Sequence, residues 1–224
     1  MTYDAITFDM DGVLLTGYHT DPETYRQATL ESLADFDANS VDPPSVIVDP
    51  DEAATVREFC ERHNVPAEPF WGYREHAATV LENEQIRAGE RVPFEDVTVL
   101  ETLAAEADIG IVSNNRHGTV RFVREYFDWG AHVNAAVGRA PTLSGYDRMK
   151  PDPYYLDRVI QTLDTDPADV LFVGDRRSDV ETADRAGADA ALLVRDGELP
   201  AGDAEPAHVI ETLDELVSIA GIRE

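Results

Sequence analysis

Ile6-Thr7-Phe8-Asp9-Met10-Asp11-Gly12-Val13-Leu14 decides how the chain is read. The stretch opens as a short apolar run of strand character and stops at two carboxylates one residue apart, followed by a glycine. Alternate residues of a strand share a face, so Asp9 and Asp11 would repel one another there. A cation between them removes the conflict. A solvated turn would also account for the stretch alone, because Asp and Gly are common turn residues. The remaining strand ends weigh between the two.

Working outward, the 224 residues are enough for a domain of ordinary size and a small second one. No apolar run approaches the roughly 18 residues that span a bilayer, and no basic start precedes an apolar stretch. A cytoplasmic location is expected. The single cysteine, Cys60, excludes an internal disulfide framework and a multi-Cys zinc site; with Val56, Phe59 and His63 at helical spacing it reads as a core residue. The net charge of −27 repels phosphate backbones and anionic membranes, so neither nucleic acid nor membrane is expected as a partner. Small anions would be repelled too, unless salt screens the field; the Debye length falls to about 3 Å at 1 M. The acidic, lysine-poor composition resembles that of proteins from salt-accumulating halophiles. It also singles out Lys150, the only lysine in the chain.

After the first strand, the next buried strand is Asp108-Ile109-Gly110-Ile111-Val112, nearly a hundred residues on. The interval is helical in pattern. Asp21-Pro22 and Asp49-Pro50 are helix-start signals, and Phe70, Tyr73, Ala77, Val80 and Leu81 recur at the spacing of an apolar helix face. Residues 16–92 therefore read as a small helical cap domain, inserted into a core of residues 1–15 and 93–224. Beyond it, strands without alternation, at 109–112, 170–173 and 190–194, are separated by helices. This predicts an α/β fold, a doubly wound parallel sheet covered on both faces. Residues 128–149 read as an irregular loop over a site.

The polar clusters gather in one place. Asp9 and Asp11, Ser113 and Asn114, and Asp175 and Asp179 each follow the carboxyl end of a predicted strand, the edge where open parallel sheets bind ligands. Four carboxylates in one pocket need a positive charge. An oxygen-only donor set suits Mg²⁺, and Lys150 and the Ser113 hydroxyl suit phosphoryl oxygens.

These stretches, Asp9-Met10-Asp11-Gly12-Val13, Val112-Ser113-Asn114, Lys150-Pro151 and Gly174-Asp175 through Asp179, resemble in order the four signature motifs of the haloacid dehalogenase-like hydrolase superfamily. The likeness is to its phosphatase branch, with a Rossmann-like core and a helical cap after the first motif, as in phosphoglycolate phosphatases. It implies Asp9 as nucleophile through an aspartyl-phosphate, and Asp11 as general acid and base. It further implies Mg²⁺ on Asp9, Asp11 and Asp175 with Asp179 in support, and Ser113, Asn114 and Lys150 binding the phosphoryl group. The expected substrate is a small soluble phosphate monoester, with phosphoglycolate or a sugar phosphate as examples.

Other chemistries stay in view. Dehalogenation by the first Asp needs neither Asp11 nor the Asp175/Asp179 pair, and phosphonate cleavage needs a cap lysine that is absent. A phosphosugar mutase shares the core and nearly the same capped layout, and a non-catalytic phospho-ligand binder could share the fold. Arg176 and Arg177 follow Asp175 where many relatives have a small residue, either as solvated arginines or as substrate contacts. Tyr18, His19 and Arg74 are cap residues of a type to meet substrate, and Gly12, Gly17 and Gly89 are candidate turns or hinges.

Overall fold

The computed structural model describes residues 3–17, 22–195, 197 and 204–221. Among these, six strands form one sheet: β1 (Ala5–Phe8), β2 (Asp108–Arg116), β3 (Ala135–Arg139), β4 (Val170–Gly174), β5 (Asp189–Leu193) and β6 (His208–Ile210). The order is β3-β2-β1-β4-β5-β6 and every pairing is parallel. This is the doubly wound α/β arrangement expected. The order reverses between β1 and β4, so the crevice at their carboxyl ends is the place for a ligand.

Helices follow in the sequence α1 (Pro22–Ala34), α2 (Ser45–Val48), α3 (Ala53–Arg62), α4 (Ala67–Arg87) and α5 (Val99–Leu103). Then come α6 (His117–Tyr126), α7 (Leu143–Tyr146), α8 (Tyr154–Leu163), α9 (Arg177–Ala186) and α10 (Leu216–Ile219). Strand residues divide by parity between two cores, because successive side chains point to opposite faces. Ile6, Phe8, Ile111 and Val173 pack with Leu103, Val120, Val123 and Leu216, so α5, α6 and α10 cover one face. Ala5, Val112, Phe172 and Leu192 pack with Leu156, Val159, Val180 and Ala183, so α8 and α9 cover the other.

The stretch between β1 and β2 is helical, with its own apolar cluster. Leu33, Val56, Phe59, Cys60, Phe70 and Trp71 pack together, and Leu143 and Tyr146 of α7 complete that cluster from the sheet side. Cys60 is a buried core residue. The two chain crossings run side by side: Thr16 N donates to Val92 O at 2.8 Å and Phe94 N to Leu14 O at 3.1 Å. Gly12, Gly17 and Gly89 all take positive φ, the left-handed backbone a glycine adopts without strain.

Four elements depart from expectation. Residues 128–149 contain β3, which forms the sheet edge, and α7. Its sequence, Ala-Ala-Val-Gly-Arg, is too short and small-sided to register as a strand, and pairing with β2 supplies what its own pattern lacks. Strand β6 escaped notice for the same reason, being three residues long. On α4 the helix is where it was expected, but of the expected face only Phe70 is buried. Tyr73 and Val80 are 55% and 44% exposed, whereas Trp71, Arg74, Glu75, Ala78, Glu82 and Ile86 are buried. The helix turns three charged residues, Arg74, Glu75 and Glu82, inward among its apolar ones.

Candidate active site

Each candidate side chain is carried to the crevice by the end of a strand. Asp9 follows β1, and its backbone N–H still donates to Val173 O at 2.8 Å, extending the ladder to the last residue before the turn. The residue is 5% exposed, and its carboxylate accepts from the Met10 N–H at 2.8 Å and lies 2.8 Å from Lys150 Nζ. The same ammonium lies 2.6 Å from Asp179 Oδ1. Lys150 thus bridges two buried carboxylates, one from each side of the switch point. Burial lowers its proton affinity, but Asp179 and Asp9 outweigh that and hold it well above the usual lysine range.

Asp179 sits on the first turn of α9, where it also accepts from Arg176 N at 3.0 Å. Its approach to the strand end depends on Gly174. A Cβ there would fall 2.2 Å from Asp179 Cβ, so any other residue would force α9 off the sheet.

Asp9, Asp175 and Asp179 each offer a carboxylate oxygen, and the three atoms lie within 4.8 Å of one another. Burial pushes the Asp9 carboxyl up to about 7, with Asp179 and Asp11 adding to the effect and Lys150 opposing it. Burial, then Asp179, pushes Asp175 up to about 6. Asp175 Oδ1 is buried without a hydrogen-bond partner among the described residues. Crowded hard oxygens with one lone pair set unused fit a divalent cation such as Mg²⁺.

Asp11 faces the same cavity from the turn after Asp9 and is tied to the helical segment. Its carboxylate pairs with Arg91, accepts from Asn115 Nδ2 at 3.1 Å and lies 3.5 Å from Ser113 Oγ. Arg91 also donates to the carbonyls of Thr16 and Gly17, both at 2.9 Å, and pairs with Glu82 of α4. Asn114 does something other than point at a ligand. Its Oδ1 accepts from Lys150 N at 2.8 Å and its Nδ2 donates to Lys150 O at 3.3 Å, so it clasps the lysine backbone from both sides.

The adjoining cavity is small, about 220 Å³, below the roughly 300–1,000 Å³ of drug-sized sites. Asp9, Asp11, Ser113, Asn114 and Lys150 line it together with Arg74 and Arg139. Arg176 lines it as well, while Tyr18 and His19 lie outside the described residues.

Sequence reasoning missed Arg91, Asn115, Glu82, Glu75, Arg116 and Arg139. Glu82 is fully buried between Arg91 and Arg116, and Glu75 between Arg74 and Arg139. Burial pushes both carboxyls up, but the guanidinium neighbours more than reverse it, and both lie below the usual glutamate range. The signal was the helical spacing of Arg74, Glu75, Ala78 and Glu82, which a count of apolar residues discards.

A parallel sheet with this strand order, a helical segment after β1 and acidic strand ends around one lysine are the features of a hydrolase of the α/β class. The family model for haloacid dehalogenase-like hydrolase matches residues 3–187, and the chain belongs to that family. It is an enzyme, a hydrolase of this family. The chain is 29% identical over 133 residues to pyrophosphatase PpaX of Bacillus velezensis, a match spanning 56% of this chain and 59% of that one. It is 24% identical over 234 residues to pyrophosphatase PpaX of Anoxybacillus flavithermus, across 99% of both. Among solved structures, CbbY from Rhodobacter sphaeroides in complex with phosphate superposes with a TM-score of 0.65 at 18% identity, over 96% of each chain. At that identity the likeness speaks for the fold.

Proposed function

We propose that the protein is a Mg²⁺-dependent phosphatase of a small soluble phosphate monoester, acting through an aspartyl-phosphate on Asp9. The observation that carries this reading is Lys150 bridging Asp9 and Asp179 near the unpartnered Asp175 oxygen, with Asp9 and Lys150 lining a cavity of phosphate-ester size. Residues 16–92 act as the cap, with residues 1–15 and 93–224 as the core. The Asp9 carboxylate attacks phosphorus; the new P–O bond forms as the ester P–O bond breaks. Asp11 gives the leaving oxygen its proton, then takes one from the water that hydrolyses the phosphoenzyme. Ser113 and Lys150 hold phosphoryl oxygens, and Asn114 fixes Lys150 through its backbone. Asp9, Asp175 and Asp179, with the Asp11 carbonyl, would hold Mg²⁺, which supplies charge neutralisation at the phosphoryl group.

Phosphoglycolate, a sugar phosphate and, from the names of the relatives, inorganic pyrophosphate are the substrates to screen first. The fold carries no membrane-crossing helix among the described residues, in keeping with a soluble substrate. Asp9→Asn is expected to lower phosphate release from p-nitrophenyl phosphate by at least about 10⁴-fold with the circular dichroism spectrum unchanged. Release within ten-fold of the wild type would refute the nucleophile. Isomer formation from a sugar bisphosphate without free phosphate would turn the assignment to a mutase.

A further inference from the structure

The charges around the cavity do not balance evenly along its length. Arg74, Arg91, Arg116, Arg139 and Lys150 are the buried cations among the described residues, in a chain of strongly negative net charge. Arg91 and Arg116 share Glu82, and Arg91 also pairs with Asp11, so two guanidinium groups meet two carboxylates. Arg74 and Arg139 have one carboxylate between them: Arg74 Nη1 lies 2.5 Å from Glu75 Oε1, and Arg139 Nη1 lies 2.6 Å from Glu75 Oε2. Two guanidinium groups sharing one carboxylate leave a net positive charge there, and both arginines line the cavity. Asp49 and Arg176, both exposed, also line it and carry opposite charges.

The pair is built to stay in place. The Arg74 guanidinium lies 4.5 Å from the Tyr25 ring centroid and 4.8 Å from that of Trp71, and Arg139 lies 4.7 Å from that of Tyr146. Arg74 Nη2 donates to Val48 O and Arg139 Nε to Asn114 O. Arg74 Nε is buried and donates to nothing among the described residues. Burying an uncompensated cation is costly, and an anion arriving beside it removes that cost.

Resting on the phosphatase reading, we infer that Arg74 and Arg139 form a second anion subsite, so that the substrate is a short phosphate ester bearing a further anionic group, carboxylate or phosphoryl. The small cavity limits the link between the two anionic groups to a few atoms.

The test compares three esters with one skeleton, phosphoglycolate, ethylene glycol bisphosphate and 2-hydroxyethyl phosphate, in Mg²⁺ and molar salt so that the net charge is screened. The wild type is expected to favour at least one of the two doubly anionic esters over the neutral-ended one by about ten-fold or more in kcat/KM. The better of the two identifies the second group. Arg139→Gln is expected to shrink that preference at least about five-fold, and Arg74→Lys to retain part of it. Equal kcat/KM for all three esters in the wild type overturns the subsite, whatever the variants do. If no ester releases phosphate, the phosphatase reading falls by itself. Calorimetric Kd values for the same three ligands then decide the subsite, tighter binding of a doubly anionic one upholding it and equal binding refuting it.

Discussion

The molecule buries charge in two regions, at the sheet edge and along α4, and the two solve opposite problems. At the sheet edge, Asp9, Asp175 and Asp179 outnumber Lys150, and the group that balances them must come from outside. Along α4, Glu82 is enclosed by the guanidinium groups of Arg91 and Arg116, supplied by the chain itself, with Asp11 as the second carboxylate of that group. A cluster that needs a visitor is suited to chemistry. A cluster that is closed on its own partners is suited to holding two parts of a protein together, and Glu82 does so by pairing α4 with Arg91 of the linker and Arg116 at the end of β2.

Removing one α4 carboxylate should break that contrast most visibly. Glu82→Gln leaves Arg91 and Arg116 buried with their shared counter-charge gone, and a loss of about 3–5 kcal/mol is expected in denaturant unfolding. A loss below about 1 kcal/mol would mean that the cluster is not closed. The same pair predicts an acid limb. Glu75 and Glu82 lie below the ordinary glutamate range when folded, so their contribution is complete above the unfolded value of about 4.3 and drains away as pH falls through the lower folded values. Thermal unfolding followed from pH 6 to pH 3 should decline more steeply in the wild type than in Glu82→Gln.

At the sheet edge the expected effect comes from addition. Mg²⁺ at a hundred times its Kd should stabilise the wild type by about 2.7 kcal/mol, and Asp175→Asn should remove most of that gain. A melting temperature indifferent to Mg²⁺ and to its chelation would remove the metal from this site. The smallest effect concerns the outer side of α4. Tyr73→Gln and Val80→Gln should each change stability by less than about 0.5 kcal/mol, because both side chains are exposed.

The two regions also differ in how much of them the chain discloses. The sheet-edge cluster was legible because its residues sit within a few positions of strand ends, and because a run such as Val170-Leu171-Phe172-Val173 admits few other readings. The doubly wound sheet follows from the same runs. The α4 cluster was not legible, since an Arg or Glu in a helix is ordinarily solvated, and partners that reverse this here come from 9 residues away in sequence, as Glu82 with Arg91, to 64, as Glu75 with Arg139. Asn114 illustrates the same limit within a motif. Its place beside Ser113 could be read from the chain, but its clasp on Lys150 required the fold that brings residues 114 and 150 together.

Strand β1 lies at the centre of the sheet, and its partners are far downstream: Ala5 is in register with Asp108 on one side and Val170 on the other. During synthesis β1 therefore leaves the ribosome before either neighbour, and the whole helical segment is made before either arrives. Long-range parallel pairing of this kind is slow to nucleate. The helices can organise locally while β1 waits, so catalytic competence is a late event in the life of a nascent chain, completed only once residues beyond 174 have emerged.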